Sequence, residues 1–483
     1  MSIPLILASK SKPRRDVLYS AGICPTIRVS HVDEPAALEA AAREEGVTVD
    51  DLSIKQRVMI LAVAKAEAVH RAYRDVANTA AAATGDRVIA YPLKAKEIKD
   101  SEREAVVEDL RKAAAGQPID YSKAEIATTR DFSGIDMPTV TEPIATAIAG
   151  QPGLTEATVG PLILGCDSMF LLGGECYGKP HSEAVARERL KRMSGATGEL
   201  WTGHCLIDFA TGRTVRGASH AKVHFGEFTD DDIERYIVTG EPLEVAGSSR
   251  WKARRRVIDS IEGDPHGIIG LSLPLARHLA GELGITWTDL WNVGRGELEP
   301  ESKASGNQHA GILPPVENVH QPGDGWVDCA CGRKHWGTNG ASGILLARRD
   351  PVSGKVTHVV MQHRAAWSAE GGTWGIPGGA TADGESPIEG ALRESYEEAN
   401  ITPEDIEVVG SYREDHGPWA YTTVFAFEKP GHTVEPKAND DESMEICWVP
   451  IDDVPNRKLL TAMKTDWPRF AARLDELACA GHR

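Results

Sequence analysis

Glu385, then Arg393-Glu394, then Glu397-Glu398 stand in one short stretch, preceded by Gly378-Gly379 and followed by Asn400-Ile401. No other part of the chain carries so strong a chemical signal. Ser386 is a good N-cap, Pro387 suits the first helical position, and Glu389 completes a capping box, so a helix is predicted near Pro387 to Ala399. On it Ile388, Ala391, Leu392, Ser395 and Ala399 share one stripe, while Glu394, Glu397 and Glu398 converge on another face. Like charges this close repel one another. A cation between them is the obvious reason to keep them, and hard carboxylate oxygens suit Mg²⁺ or Mn²⁺. The plain alternative is the solvated acidic face of a surface helix.

A second constellation lies at the N-terminus, where Leu5-Ile6-Leu7-Ala8-Ser9-Lys10-Ser11-Lys12-Pro13-Arg14-Arg15 puts hydroxyls and cations between a strand and a helix. Backbone donors and the dipole at a helix N-terminus attract phosphate, and two arginines add bidentate donors. Two adjacent arginines are also common on solvated helices. A third group, Cys329, Cys331 and His335, has the residue types of a zinc site, but its spacing is unusual and shows no fourth ligand. Upstream of the acidic helix, Gln362-His363-Arg364 and Trp374 could line a wall that stacks on a base or contacts phosphate. Ordinary strand packing is as good a reading of Trp374.

The elements that would position these groups fall into two α/β sets. Ile3 to Leu7 reads as a strand and Arg14 to Ala21, closed by Gly22, as a helix. Val58 to Val69 is a periodic apolar segment. From about 78 to 158 the chain turns Ala-rich and acidic, with a predicted helix only at Glu102 to Ala115. That stretch reads as an insertion too poor in apolar residues to form its own core. Pro161 to Leu172 suits a strand buried on both faces, and strand and helix patterns alternate from there to about Trp291. A Gly, Pro, Glu, Asn and Ser-rich linker spans 293–325. Beyond it, β-like runs at Gly343 to Ala347, His358 to His363, Thr422 to Glu428 and Ile446 to Val449 surround the acidic helix. The expected domains are therefore 1–292, interrupted at about 78–158, and 326–478.

From Gly379 through Ile401 the acidic stretch resembles the 23-residue box of the Nudix hydrolases. Ser395 replaces the usual aliphatic residue, and Asn400 replaces the usual glycine, a mild change because asparagine tolerates the left-handed helix end. The resemblance implies an α/β/α sandwich with a mixed sheet, hydrolysing a nucleoside diphosphate linked to another moiety. It further implies divalent metal on Glu394, Glu397 and Glu398, with the Gly379 carbonyl as a further ligand and Glu385 and Arg393 as supports. Glu394 and Glu398 are then the catalytic acids.

The first half resembles the Maf family of nucleoside triphosphate pyrophosphatases. Besides the N-terminal cradle, the resemblance rests on an ordered series: Asp33-Glu34-Pro35, Lys65, Asp167, Gly178-Lys179-Pro180, Ser194-Gly195, Thr202-Gly203, Glu241-Pro242 and Ile261-Glu262-Gly263-Asp264. It implies an α/β nucleotide-binding domain that cleaves between the α and β phosphates. Carried over, Asp167 is the general base, Ser9, Arg14, Arg15, Lys65 and Lys179 hold phosphates, and Glu34 with Asp167 holds divalent metal. Positions tied to base choice in the family are here Pro13, Ser168 and Lys252, which match neither familiar combination. A basic run, Arg250 to Arg256, replaces a loop that usually contains glycine.

Lys and Arg number 53 against 71 Asp and Glu, a formal charge of −18, which argues against a stable nucleic-acid partner and leaves small nucleotides as the expected ones. No apolar run reaches the roughly 18 residues of a membrane span, and the N-terminus lacks a secretory leader. Eight scattered cysteines do not make a disulfide scaffold, so a reducing cytoplasm is the expected location. A homodimer is compatible with all of this. The leading reading is a bifunctional nucleotide-hydrolysing enzyme. The competing one makes one half, more readily the first, a nucleotide-binding or cell-division regulatory module without turnover.

Overall fold

The almost continuous apolar run of Leu162–Leu172 is buried along most of its length, as a central strand flanked on both edges requires. The computed structural model describes residues 2–91, 93–95, 124–126, 139–144, 160–178, 180, 182–239, 258–293, 321–329, 333–439 and 442–480. In chain order the elements begin with β1 Leu5–Leu7, α1 Lys12–Ser20, β2 Thr26–Ile27, α2 Glu34–Glu45, α3 Ile54–Ala81, β3 Asp86–Ala90, β4 Leu93–Ala95, β5 Ala124–Ile126 and β6 Thr139–Pro143. Next come β7 Leu162–Leu172, β8 Glu175–Tyr177, α4 Glu183–Met193, β9 Thr197–Asp208, β10 Thr214–Phe225, α5 Asp230–Val238, β11 Ile258–Gly263 and α6 Leu273–Glu282. The last set is β12 Trp326–Asp328, β13 Lys334–Trp336, β14 Ala341–Arg349, β15 Val356–Arg364, β16 Trp374–Gly375, β17 Gly378–Ala380, α7 Pro387–Ala399, β18 Ile406–Asp415, β19 Ala420–Glu428, β20 Ser443–Pro450 and α8 Thr461–Ala480.

The chain divides into two units, Met1–Ala72 with Thr158–Glu301 and Tyr73–Ala157 with Ser302–Arg483. In the first, the sheet order is β11-β10-β9-β7-β1-β2, with β8 added on β7. Strand β1 runs parallel to β2 and β7, whereas β7, β9, β10 and β11 pair antiparallel, so the sheet is mixed. Helix α3 lies so close to this sheet that two of its strands can carry no side chain beneath it. A Cβ on Gly165 of β7 would sit 2.2 Å from the Ala62 carbonyl oxygen, and one on Gly203 of β9 would sit 2.2 Å from that of Val58. This contact brings the middle of α3 against the middle of β7.

The second unit has the sheet order β16-β15-β14-β19-β18-β3-β6. Strand β14 is parallel to β19 and antiparallel to β15, so this sheet is mixed too. Alternation sends Leu345, Ala347, Phe425 and Phe427 to one face, where Trp467, Phe470 and Leu474 of α8 cover them. The opposite face meets α7, whose Gly390 lies against Ser342. Both units are α/β, and the second is a sheet between helices.

The acidic insertion assigned from sequence to the first domain behaves differently in its described parts. Strand β3 pairs parallel with β18, and β6 pairs antiparallel with β3, extending the second sheet. Ile89, Ala90, Tyr91, Val140 and Ile144 are thereby buried. These few apolar residues cannot build a core of their own, and the edge of β18 supplies one. The predicted helix at Glu102 to Ala115 lies outside the described residues, as does most of the expected linker.

Candidate active sites

In the first unit, Asp167 sits near the middle of β7 and is 7% exposed. Lys65 of α3 places its Nζ 2.6 Å from Asp167 Oδ1 and 2.7 Å from Glu34 Oε1 at the start of α2. One ammonium thus joins two carboxylates from segments far apart in sequence. Burial pushes the Asp167 carboxyl above its ordinary range, while Lys65 and Arg14 pull it back down.

Arg14 organises the neighbouring wall. Its Nε donates to the Gly270 carbonyl at 2.8 Å, its Nη1 to Ser9 Oγ at 3.0 Å and the Cys166 carbonyl at 2.8 Å, and its Nη2 to Ser168 Oγ at 3.1 Å. Four contacts leave this guanidinium little to offer a ligand, so it holds the cradle's shape. Thr202 Oγ1 donates to the Gly267 carbonyl at 2.9 Å and therefore accepts from Ser168 Oγ at 3.0 Å. His204, fully buried behind them, accepts from the Ser272 N–H at Nε2, which leaves Nδ1 to donate to the Thr202 carbonyl. Burial lowers its pKa to about 4, so the ring is neutral. Arg15 Nη1 is buried with no hydrogen-bond partner among the described residues.

The acidic helix of the second unit starts as its sequence requires. Ser386 caps it, Glu389 closes the capping box, and Asn400 ends it at φ 56°, in the left-handed region that glycine usually fills. Arg393, with its side chain only 4% exposed, forms the centre. Its Nε donates to Glu385 Oε1 at 2.6 Å, Nη1 to Glu394 Oε1 at 2.6 Å and to Glu397 Oε2 at 3.3 Å, and Nη2 to the Ala380 carbonyl at 3.0 Å. Burial works against this charge, but the three glutamates hold the guanidinium well above its ordinary value. Glu398 turns to Gln362 Nε2 at 3.2 Å and the Gly378 N–H at 3.3 Å. A Cβ on Gly379 would lie 2.8 Å from the Glu394 carboxyl carbon, so only glycine lets that carboxylate lie against the strand. Ser395 is fully buried, and its hydroxyl donates to the Leu392 carbonyl at 2.9 Å, which removes the penalty of an unsatisfied polar group in the core.

Three carboxylates around one guanidinium, with Glu398 on the same helix, and two around one ammonium leave a surplus of negative charge in each site. Oxygen donors with such a surplus fit a divalent cation. Of the residues expected from sequence, Ser9, Arg14, Glu34, Lys65, Asp167 and Ser168 gather in the first site, with Pro13 in the first turn of α1. Gly379, Glu385, Arg393, Glu394, Glu397 and Glu398 gather in the second. Lys179, Lys252 and Cys331 lie outside the described residues. Trp374 is buried, with His363 stacked at 4.6 Å and Arg457 4.5 Å from its centroid, so its ring serves packing. His204 and Ser272 carry no signal in the sequence. A lone histidine or serine in a strand or turn has no distinguishing spacing.

Comparison with known proteins places both halves. The family described as Maf-like protein matches residues 110–283, and the NUDIX domain matches 339–471. A nucleoside triphosphate pyrophosphatase of Leifsonia xyli subsp. xyli is 33% identical over 292 residues, 60% of this chain and 96% of its own length. A solved Nudix hydrolase from M. smegmatis, RenU, is 35% identical and covers 31% of this chain and 94% of its own, with a TM-score of 0.29. A nucleoside triphosphate pyrophosphatase/Nudix hydrolase fusion protein of Bifidobacterium longum (strain NCC 2705) is 96% identical over 481 residues, 99% of this chain and 100% of its own length. With each half matched separately and the whole matched at once, this chain belongs to the family of nucleoside triphosphate pyrophosphatase/Nudix hydrolase fusion proteins.

Proposed function

We propose that the bifunctional nucleotide hydrolysis of this family is divided between the two sites, with Asp167 as the base of one and Glu394 and Glu398 as the catalytic acids of the other. The observation that carries this reading is the excess of carboxylates over the cation they share in each site.

In the first site, Ser9, Arg15, Lys65 and Lys179 hold the phosphates of a nucleoside triphosphate, and Arg14 holds Ser9 and Ser168 in place. Asp167 removes a proton from water, the water oxygen bonds to the α phosphorus, and the α–β bridge breaks. The products are a nucleoside monophosphate and pyrophosphate. Pro13, Ser168 and Lys252 are the positions we assign to base choice. In the second site, Glu385 and Arg393 orient Glu394, Glu397 and Glu398 for a nucleoside diphosphate linked to another moiety. Divalent metal, Mg²⁺ or Mn²⁺, would be held by Glu34 and Asp167 in one site and by Glu394, Glu397, Glu398 and the Gly379 carbonyl in the other. When bound, it neutralises the polyphosphate and makes water more acidic.

The domains we assign are 1–292, interrupted at about 78–158, and 326–478, joined by a linker at 293–325, with the strands at 86–90 and 139–143 of the interruption completing the second sheet. Among the described residues no helix is long and apolar enough to cross a membrane. Small nucleotides are the proposed partners and the cytoplasm the proposed location.

The test is pyrophosphate and phosphate release from a panel of nucleoside triphosphates and substituted nucleoside diphosphates. Asp167→Asn should lower triphosphate cleavage by about 10²–10⁴-fold and spare the other activity, and Glu398→Gln should do the reverse. The division fails if both substitutions silence the same reaction.

A further inference from the structure

Outside both sites, a thiol and two imidazoles from two separate segments meet. Cys329 directly follows β12, and its N–H donates to the Arg333 carbonyl at 2.9 Å across the hairpin. His335 lies on β13, opposite Val327. His416 stands in the turn between β18 and β19, where its N–H donates to the Trp419 carbonyl at 2.9 Å and Gly417 reverses the chain at φ 87°. The cysteine sulfur and one nitrogen from each imidazole all lie within 4.8 Å of one another. Cys329 and His416 are buried, and His335 is half-buried.

The surroundings orient these donors. Glu414 Oε1 lies 2.9 Å from His416 Nε2, the carboxylate–histidine arrangement that fixes a metal-bound imidazole and raises its basicity. The Trp419 ring stacks on His335 at 4.0 Å and 9°, and Trp419 Nε1 donates to the Trp336 carbonyl at 2.9 Å. An aromatic cluster alone accounts for the ring contacts. It does not account for a thiol among the rings or a carboxylate behind one of them.

We propose that Cys329, His335 and His416, with a solvent water completing the tetrahedron, bind a zinc ion that clamps the β12–β13 hairpin to the β18–β19 turn. A thiolate with two imidazoles is a borderline-soft set that favours Zn²⁺ over the hard cations suited to the acidic helix. Bond lengths of zinc to sulfur and nitrogen place tetrahedral donors about 3.3–3.6 Å apart, so closure asks for side-chain shifts of about 1 Å. Binding replaces the thiol proton, which leaves to solvent. His416 uses Nδ1, because Glu414 engages Nε2.

The clamp has a structural consequence. From the hairpin the chain passes through Gly337 and Thr338 to Asn339, whose Nδ2 donates to Asp383 Oδ1 at 2.7 Å and to the Thr381 carbonyl at 3.3 Å. Those acceptors lie between β17 and Glu385, so the ion anchors the segment that borders the acidic site. The proposal does not rest on nucleotide hydrolysis by that site.

The test uses the full chain, supplied with zinc and passed over a weak chelator, with metal content measured by mass spectrometry. We expect one zinc per chain, its loss in Cys329→Ser and His416→Ala, and affinity lowered by about 10–100-fold in Glu414→Gln. A chain carrying both Glu394→Gln and Glu398→Gln should keep its zinc. Absence of zinc from the unsubstituted protein, full retention in Cys329→Ser, or loss in the doubly substituted chain overturns the proposal. Cobalt exchange of the unsubstituted protein needs no variant to fold. A thiolate-to-cobalt charge-transfer band with the strong visible bands of four-coordinate cobalt supports the site, and a pale six-coordinate spectrum overturns it.

Discussion

The two acidic sites solve the same electrostatic problem with different cations. In the first, Lys65 stands between Asp167 and Glu34 as a compact charge on a flexible stem, and Glu34 is about half exposed. In the second, Arg393 is almost completely buried and fills its planar fork with Glu385, Glu394, Glu397 and the Ala380 carbonyl. A lysine ammonium can exchange one carboxylate partner for a phosphate without losing its place. A guanidinium bonded on three sides cannot. The difference teaches that Lys65 belongs to the working surface of its site, whereas Arg393 belongs to the framework of its own.

Arg393→Met gives the largest expected effect. It leaves buried carboxylates without their shared cation and should destabilise the second unit by about 3–5 kcal/mol, read from denaturant unfolding of the full chain. Were Arg393→Met to unfold like the parent while only turnover fell, the framework role would be wrong. Gly165→Ala comes next. Its Cβ meets the Ala62 carbonyl oxygen at 2.2 Å, so α3 must move outward, at a cost of about 1–3 kcal/mol. Because α3 carries Lys65, triphosphate cleavage should fall and Nudix activity should hold. Equal losses in both would argue against a local effect.

Lys65→Met gives the smallest structural change and the sharpest pH signature. Burial raises the Asp167 pKa and Lys65 lowers it, so removing the ammonium raises it further. Asp167 works as a base only when ionised. The acid limb of kcat/KM for triphosphate cleavage should therefore lie above the ordinary carboxylate range and move to still higher pH in Lys65→Met. A limb that stays put or moves down would remove Lys65 from the working surface.

Much of the second site was legible in the sequence because it is local. Ser386, Pro387, Glu389 and Asn400 specify a helix with its start and stop, and the spacing of Glu394, Glu397 and Glu398 along it follows from helical geometry. The first site was legible only as an ordered series of residues, since Glu34, Lys65 and Asp167 share no single element. Their meeting depends on Gly165 and Gly203, whose missing side chains let α3 descend onto β7 and β9. His416 illustrates the limit more sharply. Nothing near it in sequence links it to Cys329 and His335, and only the pairing of β18 with β19 presents its turn to the hairpin.

By itself the sequence determined the two α/β halves, the acidic helix with its caps, and the acids and cations available for phosphate chemistry, because periodicity, capping and spacing act over a few residues. Tertiary structure alone decided that β3 and β6 extend the second sheet, that one lysine joins two distant carboxylates, and that a thiol meets two histidines. These outcomes depend on which apolar edge can be buried against which and how closely two backbones can approach, and neither quantity is a property of any local stretch of chain.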